Sequence, residues 1–344
     1  MTQSLVSSDS GLSAGSSAIE AELQQRRKNR LIGFLHRGLP TLPSYLLDLN
    51  VLLSQSVVDL KKVSKIIRTD PSLSAQVLRL CNSALFGLRR RVLSIEQAAV
   101  LLGTERLRTL VLTCAVMQFA GKHVPVRSLL TFWEHSFLAA LLSERIGHLL
   151  EYPENEQAYL GGLLHDIGQL PLWMLVMEEQ KRQRQLPPEN WPDNLAVERD
   201  FFGMDHGKVG RWLAVSWNFM PSFMDVFEHH HYPERAEHDP YLVSLVACVD
   251  QFLLARPAAE VSGEQGPSAE ADDGSANVLL ASPQDTPAYL SQCFPSFSET
   301  ERHSVFQTLQ MEYGHVLPMV QLGISALGLT DAECGSISIQ EKST

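Results

Sequence analysis

Apolar residues recur every three or four positions along most of the chain, which is the spacing of one face of an α-helix. The stretch DPSLSAQVLRLCNSALFG shows this pattern clearly, with one apolar stripe formed by Leu73, Val77, Leu80 and Ala84. It opens on an Asp-Pro pair, which is typical of a helix N-terminus because Asp caps free amide groups and Pro suits the first helical position. The pattern predicts a helix that begins just after Asp70.

Further stretches have the same helical period, and convincing alternation of apolar and polar residues, which would mark a strand, is absent. Ser94, followed three residues later by Gln97, has the spacing of a helix-capping pair. Helices are also predicted over residues 129–150, 156–178 and 297–327. The sequence therefore predicts an all-α fold.

Three segments interrupt the helical pattern. Residues 1–18 are rich in Ser and Gly and predict a disordered N-terminus. Residues 257–287 are rich in Ala, Ser, Gly, Pro and acidic residues, and no Lys or Arg occurs between Arg256 and Arg302. Such a composition predicts an acidic disordered linker. The last segment, residues 331–344, is assigned to a tail.

Composition narrows the class of partner and the compartment. The formal net charge of −11 opposes binding to nucleic acid, so no DNA partner is expected. No apolar run approaches the roughly 18 residues that span a bilayer, and the N-terminus lacks the features of a secretory signal. The five cysteines form no CxxC pair, and core thiols are predicted at Cys81, Cys114 and Cys248. These features favour a cytoplasmic protein.

An ionisable pair stands inside the apolar run GGLLHDIGQL, residues 161–170. Burying an unpaired carboxylate is unfavourable, so Asp166 needs a partner. In one interpretation, His165 and Asp166 together bind a metal ion. In the other, Asp166 caps a turn and Gly168 allows the chain to bend. The dipeptide alone does not decide between these two interpretations.

Other side chains that can bind metals stand in similar apolar contexts. His135 lies in TFWEHSFLAALL, and Asp250 lies in LVSLVACVDQFLLA, where an aspartate is rarely buried without a partner. His206 follows FFGMD, and the apolar run FMDVF precedes His230 and His231. Imidazole nitrogens and carboxylate oxygens suit zinc, iron and manganese, and the lack of a cysteine ligand favours an open, water-accessible site.

The order His, His-Asp, His, His-His, Asp resembles the HD superfamily of metal-dependent phosphohydrolases. The segments LPTLP, DPSLSAQVLRLCNSALFG, SIEQAAVLLG, FWEHS and GGLLHDIG are similar, more specifically, to the HDOD domain, the HD-related output domain of bacterial signalling. The resemblance covers about residues 39–255. It implies an HD-superfamily helical bundle at 126–255 behind an N-terminal helical HDOD subdomain at 39–125. A C-terminal helical segment is assigned to residues 288–330.

The resemblance also implies a set of metal ligands. Domains of this superfamily bind one or two divalent ions, and we expect Fe, Mn, Zn or Mg. Active members hydrolyse phosphate esters, and Asp166 would be the catalytic carboxylate if this chain is active. His229 matches no ligand position. The implied ligands are His135, His165, Asp166, His206, His230, His231 and Asp250.

Three positions depart from the pattern of the related HD-GYP cyclic-dinucleotide phosphodiesterases. Gln169 stands where those enzymes have a lysine after HDIG. Their GYP signature is absent, because the histidines run directly into Tyr232 and Pro233. Thr131 stands four residues before His135, where an acidic residue would support a third metal. These departures weaken the expectation of cyclic-dinucleotide hydrolysis without removing the metal site.

Two functions are consistent with this resemblance. The first is a regulatory signalling module that acts through protein partners and holds a metal or nucleotide in its HD core. The arginines of GLRRRVLS (Arg89, Arg90 and Arg91) are then an anion or partner contact, or simply a solvated loop. The second is a metal-dependent phosphohydrolase or phosphodiesterase that acts on a nucleotide or cyclic dinucleotide. In it, Asp166 bridges two ions and Lys208 meets a phosphate oxygen.

Overall fold

The computed structural model describes residues 10–38, 59–121, 123–184, 186–188, 191–192, 194–256 and 286–327. These residues form helices and connecting turns, and no strand occurs among them. The predicted all-α fold is therefore confirmed. The LPTLP segment, the tail and all but the last two residues of the predicted acidic linker lie outside the described residues.

The helices follow one another along the chain with short connections, except where a stretch outside the described residues intervenes. Two short 3₁₀ turns, Ala84–Phe86 and Pro233–Arg235, lie between them. The α-helices are α1 (Ser10–Gly38), α2 (Leu60–Ile67), α3 (Pro71–Cys81), α4 (Ile95–Leu102), α5 (Thr104–Gly121), α6 (Val126–Leu149), α7 (Asn155–Leu164), α8 (Gln169–Lys181), α9 (Leu195–Phe202), α10 (His206–Ser216), α11 (Pro221–His229), α12 (Pro240–Leu254), α13 (Tyr289–Cys293) and α14 (Glu299–Ala326).

Helix α3 begins where the sequence predicts it. A carboxylate oxygen of Asp70 accepts a hydrogen bond from the backbone N–H of Leu73 at 3.0 Å, and Pro71 is the first helical residue. The 3₁₀ turn that follows ends at Gly87, whose φ of 55° lies in the left-handed region that favours glycine. The Asp-Pro and Phe-Gly ends of this segment therefore mark the ends of one structural unit.

The predicted capping pair at the start of α4 is also confirmed. Ser94 accepts a hydrogen bond from the backbone N–H of Gln97, and the Gln97 side chain accepts one from Leu93. The connection that leads into α4 is held by Asn82, which accepts from the N–H of Val92 at 2.7 Å and donates to its carbonyl at 2.8 Å.

Two sequence predictions need correction. Residues 10–18 belong to α1, so a disordered N-terminus over residues 1–18 is wrong for this part. No proline interrupts residues 10–38, and once a helix has formed each further residue adds a backbone hydrogen bond.

The predicted helix over residues 156–178 is in fact two helices, α7 and α8, separated by the turn 165–168. At Gly168 a Cβ atom would collide with the backbone of His206, so only glycine permits this approach. The chain therefore turns at the HDIG sequence, and the backbone of α8 starts against that of α10.

Helix α6 lies in the large core and contacts α7, α12 and α14. Its Trp133 and Phe137 are buried. At Gly162 in α7 a Cβ atom would press against the backbone of Ala139 in α6, so these two helices approach closely. Helix α14 also contacts α3 and the turn Ala84–Phe86, so the C-terminal segment packs on both halves of the molecule.

The helices of the N-terminal half pack on one another, and Arg106 in α5 ties them to the HD core. Arg106 forms ion pairs with Glu144 in α6 and with Glu156 in α7. A second, smaller core lies between α1, α8, α9 and α10 and contains Leu31, Leu172 and Phe202. In the part of the chain that the structure describes, no helix has the length and apolarity to cross a membrane.

Candidate metal centre

The structure brings together all seven side chains that the sequence analysis assigns to a metal site. They come from α6, from the turn between α7 and α8, from the start of α10, from the end of α11 and from α12. We define the first donor group as His135, His165, Asp166 and Asp250, and the second donor group as Asp166, His206, His230 and His231.

In the first donor group the imidazole and carboxylate atoms converge on one point. His135 Nε2 lies 3.1 Å from His165 Nε2 and 3.2 Å from Asp250 Oδ1. His165 Nε2 lies 3.4 Å from Asp166 Oδ2. Two atoms that each lie about 2.1 Å from one ion are about 3.0–3.4 Å apart at octahedral to tetrahedral angles. These spacings are therefore those of ligands around a shared cation.

The second donor group has the same spacing. His206 Nε2 lies 3.2 Å from His230 Nε2 and 2.9 Å from His231 Nε2. The other carboxylate oxygen of Asp166, Oδ1, lies 3.2 Å from His206 Nε2 and 3.3 Å from His230 Nε2. Asp166 thus offers one oxygen to each donor group, which is the arrangement of a carboxylate that bridges two ions.

Hydrogen bonds to backbone carbonyl oxygens determine which ring nitrogen carries the proton in two of these histidines. His165 Nδ1 lies 2.7 Å from the carbonyl oxygen of Gly162, and His230 Nδ1 lies 3.0 Å from that of Val226. A carbonyl oxygen only accepts, so each Nδ1 carries the proton and, in the neutral ring, each Nε2 presents a lone pair to the centre. Facing lone pairs repel one another unless a cation lies between them.

Glu198 is a functional residue that the sequence analysis missed. It is fully buried in α9, and its carboxylate accepts from the backbone N–H of His206 at 2.7 Å and from His206 Nδ1 at 2.9 Å. Carboxylates commonly hold metal-binding histidines in this way. A signal was present in the sequence, because Glu198 shares a helical face with Phe201 and Phe202.

The residues present fit a divalent cation. Asp166 Oδ1 and Asp250 Oδ2 are buried, and neither accepts a hydrogen bond from the described residues. Unpartnered buried carboxylates are unfavourable, and a cation would satisfy them. All donor atoms are imidazole nitrogens and carboxylate oxygens, which suits zinc, iron and manganese better than the oxygen-preferring Mg²⁺.

Without an ion, the two donor groups titrate in opposite directions. Burial alone lowers the pKa of His165, but the neighbouring Asp166 outweighs burial and raises that pKa well above its usual value. Burial likewise lowers the pKa of His135, and Asp250 raises it to a net increase. In the second donor group burial prevails, so the pKa of His230 is lowered and that of His231 falls to about 3.

The carboxylates of Asp166 and Asp250 both stay ionised. Burial alone raises the pKa of Asp166, but His165 and the other histidines lower it well below its usual range. The pKa of Asp250 is lowered in the same way, because hydrogen bonds from His135 and His165 outweigh burial. The centre therefore keeps two negative charges that protons or metal ions must balance.

A cavity of about 500 Å³ opens beside the first donor group. His135 and Asp166 line it, together with Gln169, Trp173 and the guanidinium-bearing Arg127. The side chain of His135 is 20% exposed, whereas those of His165, His206 and His230 are fully buried. Small molecules can therefore reach the centre at the first donor group.

The remaining residues that the sequence analysis named are not among the candidate ligands, and some of them lie close to the centre. Gln169 begins α8 and Thr131 lines the same cavity, while His229 belongs to neither donor group. Lys208 is exposed and lines a cavity with His231 of the second donor group. Arg89, Arg90 and Arg91 are exposed in the connection before α4, and none of them lines the cavity beside the first donor group.

Comparison with known proteins identifies one family and several solved structures of similar fold. The family model described as HDOD domain matches residues 39–233. An uncharacterized protein of Treponema pallidum is 26% identical over 246 residues, which are 68% of this chain and 46% of that protein. The match thus spans about half the length of that curated relative.

Solved structures share the fold at low sequence identity. An HDOD domain protein of unknown function from Geobacter sulfurreducens has a TM-score of 0.62 at 21% identity, covering 87% of this chain and 98% of that one. A Shewanella amazonensis protein provisionally named a metal-dependent phosphohydrolase has a TM-score of 0.55 at 17% identity, with coverages of 86% and 99%. A Marinobacter aquaeolei protein provisionally named for signal transduction has a TM-score of 0.57 at 16% identity, with coverages of 89% and 66%.

Proposed function

Because the chain belongs to the HDOD domain family, we propose that it is a bacterial signal-transduction module whose HD centre holds two divalent metal ions bridged by Asp166. The ligands of the first ion are His135, His165, Asp166 and Asp250, and those of the second are Asp166, His206, His230 and His231. The ions are zinc, iron or manganese, with Mg²⁺ disfavoured by the five histidines.

One observation carries this proposal. Each oxygen of Asp166 faces a separate pair of imidazole Nε2 atoms at 3.2–3.6 Å. His165 and His230 present lone pairs there in the neutral state, because their Nδ1 atoms donate to carbonyl oxygens. An ordinary polar cluster would alternate donors and acceptors. Here, with neutral imidazole rings, acceptors face acceptors, and either protons or metal cations must lie between them.

The decisive experiment is the metal content of untagged protein purified without oxygen or chelator, measured by mass spectrometry. We expect two ions per chain in the wild type and none in the His165→Ala, Asp166→Ala double variant. His229→Ala is the matched control, because His229 adjoins the other histidines but belongs to neither donor group. A folded wild type without metal, or a double variant that retains both ions, would contradict the proposal.

The module acts in the cytoplasm through protein partners that contact its N-terminal half. Leu93 and Val100 there are 73% and 76% exposed, and Arg89 to Arg91 are exposed next to Leu93 in the chain. An exposed apolar and basic surface supports a protein partner. Cross-linking in cells tests this, with Leu93→Asp and Val100→Asp expected to remove cross-links that His229→Ala keeps. Unchanged cross-links would contradict the partner surface.

Phosphate-ester hydrolysis is the second candidate function, and the cavity beside the first donor group favours it. Ions bound there would lower the pKa of a water molecule and polarise a phosphoryl oxygen. In this chain Arg127 and Arg256 line the cavity with positive charge, and Trp173 adds an aromatic wall. The neutral Gln169 at the position of the HD-GYP lysine reduces that positive charge by one.

This second candidate predicts turnover of bis(p-nitrophenyl) phosphate or of a cyclic dinucleotide by the metal-loaded protein. Asp250→Ala should abolish turnover, because it removes a ligand that no other side chain replaces, whereas His229→Ala should keep it. Metal-loaded protein that turns over neither class of ester would leave the regulatory module as the function.

A further inference from the structure

A second cavity adjoins the metal centre at the second donor group. It has a volume of about 280 Å³, and His231 forms part of its wall. His231 Nε2 lies 2.9 Å from His206 Nε2, so this one side chain faces both the cavity and the donor group. The volume is at the lower end of ligand pockets, which run from about 300 to 1,000 Å³, and suits a small anion better than a whole nucleotide.

Three positively charged side chains line this cavity, and two of them lie close together. Arg199, Lys208 and Arg235 line it. The guanidinium carbon of Arg235 lies 4.3 Å from the centre of the Tyr232 ring, and that of Arg199 lies 5.8 Å from the same ring. Two guanidinium groups on one phenol ring repel each other, so their proximity is stabilised when an anion binds between or beside them.

The carboxylates that line the cavity are already occupied. Asp205 accepts from Arg199 Nε at 2.7 Å and from the backbone N–H of Lys208 at 3.0 Å. Glu228 forms an ion pair with Arg211 at 3.1 Å, and Arg211 does not line the cavity. Lys208 and Arg235 are exposed. Arg235 forms an exposed ion pair with Glu234 at 3.6 Å, and no ion pair of Lys208 is found among the described residues. The cavity is therefore net positive in a chain of net charge −11.

Arg199 is positioned for an anion. Its Nε donates to Asp205 and one Nη donates to the Tyr232 hydroxyl at 3.2 Å, which fixes the guanidinium plane. A guanidinium has five N–H groups in a rigid fork, and these two contacts within the described residues use two of them. An oxyanion with several acceptor oxygens matches such a fork better than a single carbonyl does.

From these observations we propose that the cavity lined by Arg199, Lys208 and Arg235 is a phosphate-binding subsite that adjoins the second donor group. Its ligand is inorganic phosphate or the terminal phosphate of a larger ester. This inference extends the proposed function. It rests on that function in one respect, because contact between the ligand and a metal ion requires the proposed metal centre. Binding of phosphate to the three cations does not itself require that contact.

Isothermal titration of inorganic phosphate into the full metal-loaded chain at low ionic strength tests the subsite. We expect Lys208→Ala with Arg235→Ala to weaken phosphate binding at least tenfold while both ions stay bound. Both side chains are exposed, so the substitutions should not disturb folding. Lys62→Ala with Lys181→Ala removes the same charge from exposed positions elsewhere and should leave phosphate affinity unchanged.

The outcomes separate this inference from the proposed function. Wild-type phosphate affinity in the Lys208, Arg235 variant would overturn the subsite, as would the absence of any phosphate binding. Equal weakening in the Lys62, Lys181 variant would also overturn it, because the effect would then be one of net charge. A wild type without metal whose phosphate binding still depends on Lys208 and Arg235 would support the subsite and contradict the metal proposal.

Discussion

The two donor groups share Asp166 but differ in access. The first donor group draws His135 and Asp250 from helices of the large core and opens to a 500 Å³ cavity through His135. In the second donor group His206 and His230 are fully buried, and each is held at its far nitrogen. The first donor group thus meets the larger cavity through His135 and Asp166, whereas the second meets a smaller cavity of about 280 Å³ through His231.

The same two groups differ in the charge that they carry without an ion. Asp166 and Asp250 outweigh burial and raise the pKa values of His165 and His135, whereas burial lowers those of His230 and His231. The first donor group therefore holds protons that a metal must displace. In the second, the lowered pKa values favour the neutral, metal-binding form of His230 and His231.

The largest expected effect comes from the residue that the two groups share. Asp166→Asn keeps the shape of the side chain but removes the charge that each ion needs, so both ions should be lost. Mass spectrometry of the purified variant measures this, with circular dichroism as the check on folding. If one ion stays bound, Asp166 does not bridge.

Substituting a residue that belongs to only one donor group should remove one ion and leave the other bound. Asp250→Ala should lose the first ion and keep the second, while His206→Ala should do the reverse, because each removes a ligand from one group only. One ion per chain in each variant is the expected metal content. Loss of both ions from either variant would mean that the two groups bind cooperatively as one site.

A smaller effect is expected at Glu198, which orients His206. Glu198→Gln should weaken binding of the second ion by about 10–100-fold and leave the first unchanged, as is usual when a partner of a metal ligand is removed. Metal competition with a chelating dye measures both affinities. Glu179→Gln is the control, since Glu179 is also buried but pairs with Arg30, away from both donor groups. A similar loss in both variants would indicate general destabilisation instead.

The smallest expected effect is a difference in how metal binding depends on pH in the two variants that each keep one ion, His206→Ala and Asp250→Ala. His165 and His135 have raised pKa values, so each keeps its proton to a higher pH and the first ion binds more weakly as the pH falls through those values. The pKa of His231 is about 3, so it does not compete with the second ion near neutrality. As the pH is lowered, the His206→Ala protein should therefore lose metal before the Asp250→Ala protein. The opposite order would contradict the charge difference.

Local features of the fold were predictable from the sequence because they depend on neighbouring residues. Asp70 and Ser94 cap helices through residues three positions away, and the apolar stripes mark the helix faces. The set of candidate metal residues was predicted through resemblance to a family, whose segments preserve the order of the histidines and aspartates along the chain.

Features that depend on distant parts of the chain were not predictable. The break at residues 165–168 follows from the approach of Gly168 to the backbone of His206, and periodicity continues through it. Glu198 was missed because its partner His206 is eight residues away and in another helix. Which oxygen of Asp166 faces which histidines depends on four packed helices and has no counterpart in the sequence pattern.

Helices α12 and α14 have a practical consequence for defining the domain. The family match ends at residue 233, yet Asp250 stands on α12 and completes the first donor group. Helix α14, from beyond the acidic segment, covers α6 and the turn Ala84–Phe86. A fragment trimmed to the matched residues would lose a candidate metal ligand and expose the apolar faces of α6. Expression of this protein should therefore extend through residue 327, so that α12 and α14 are kept.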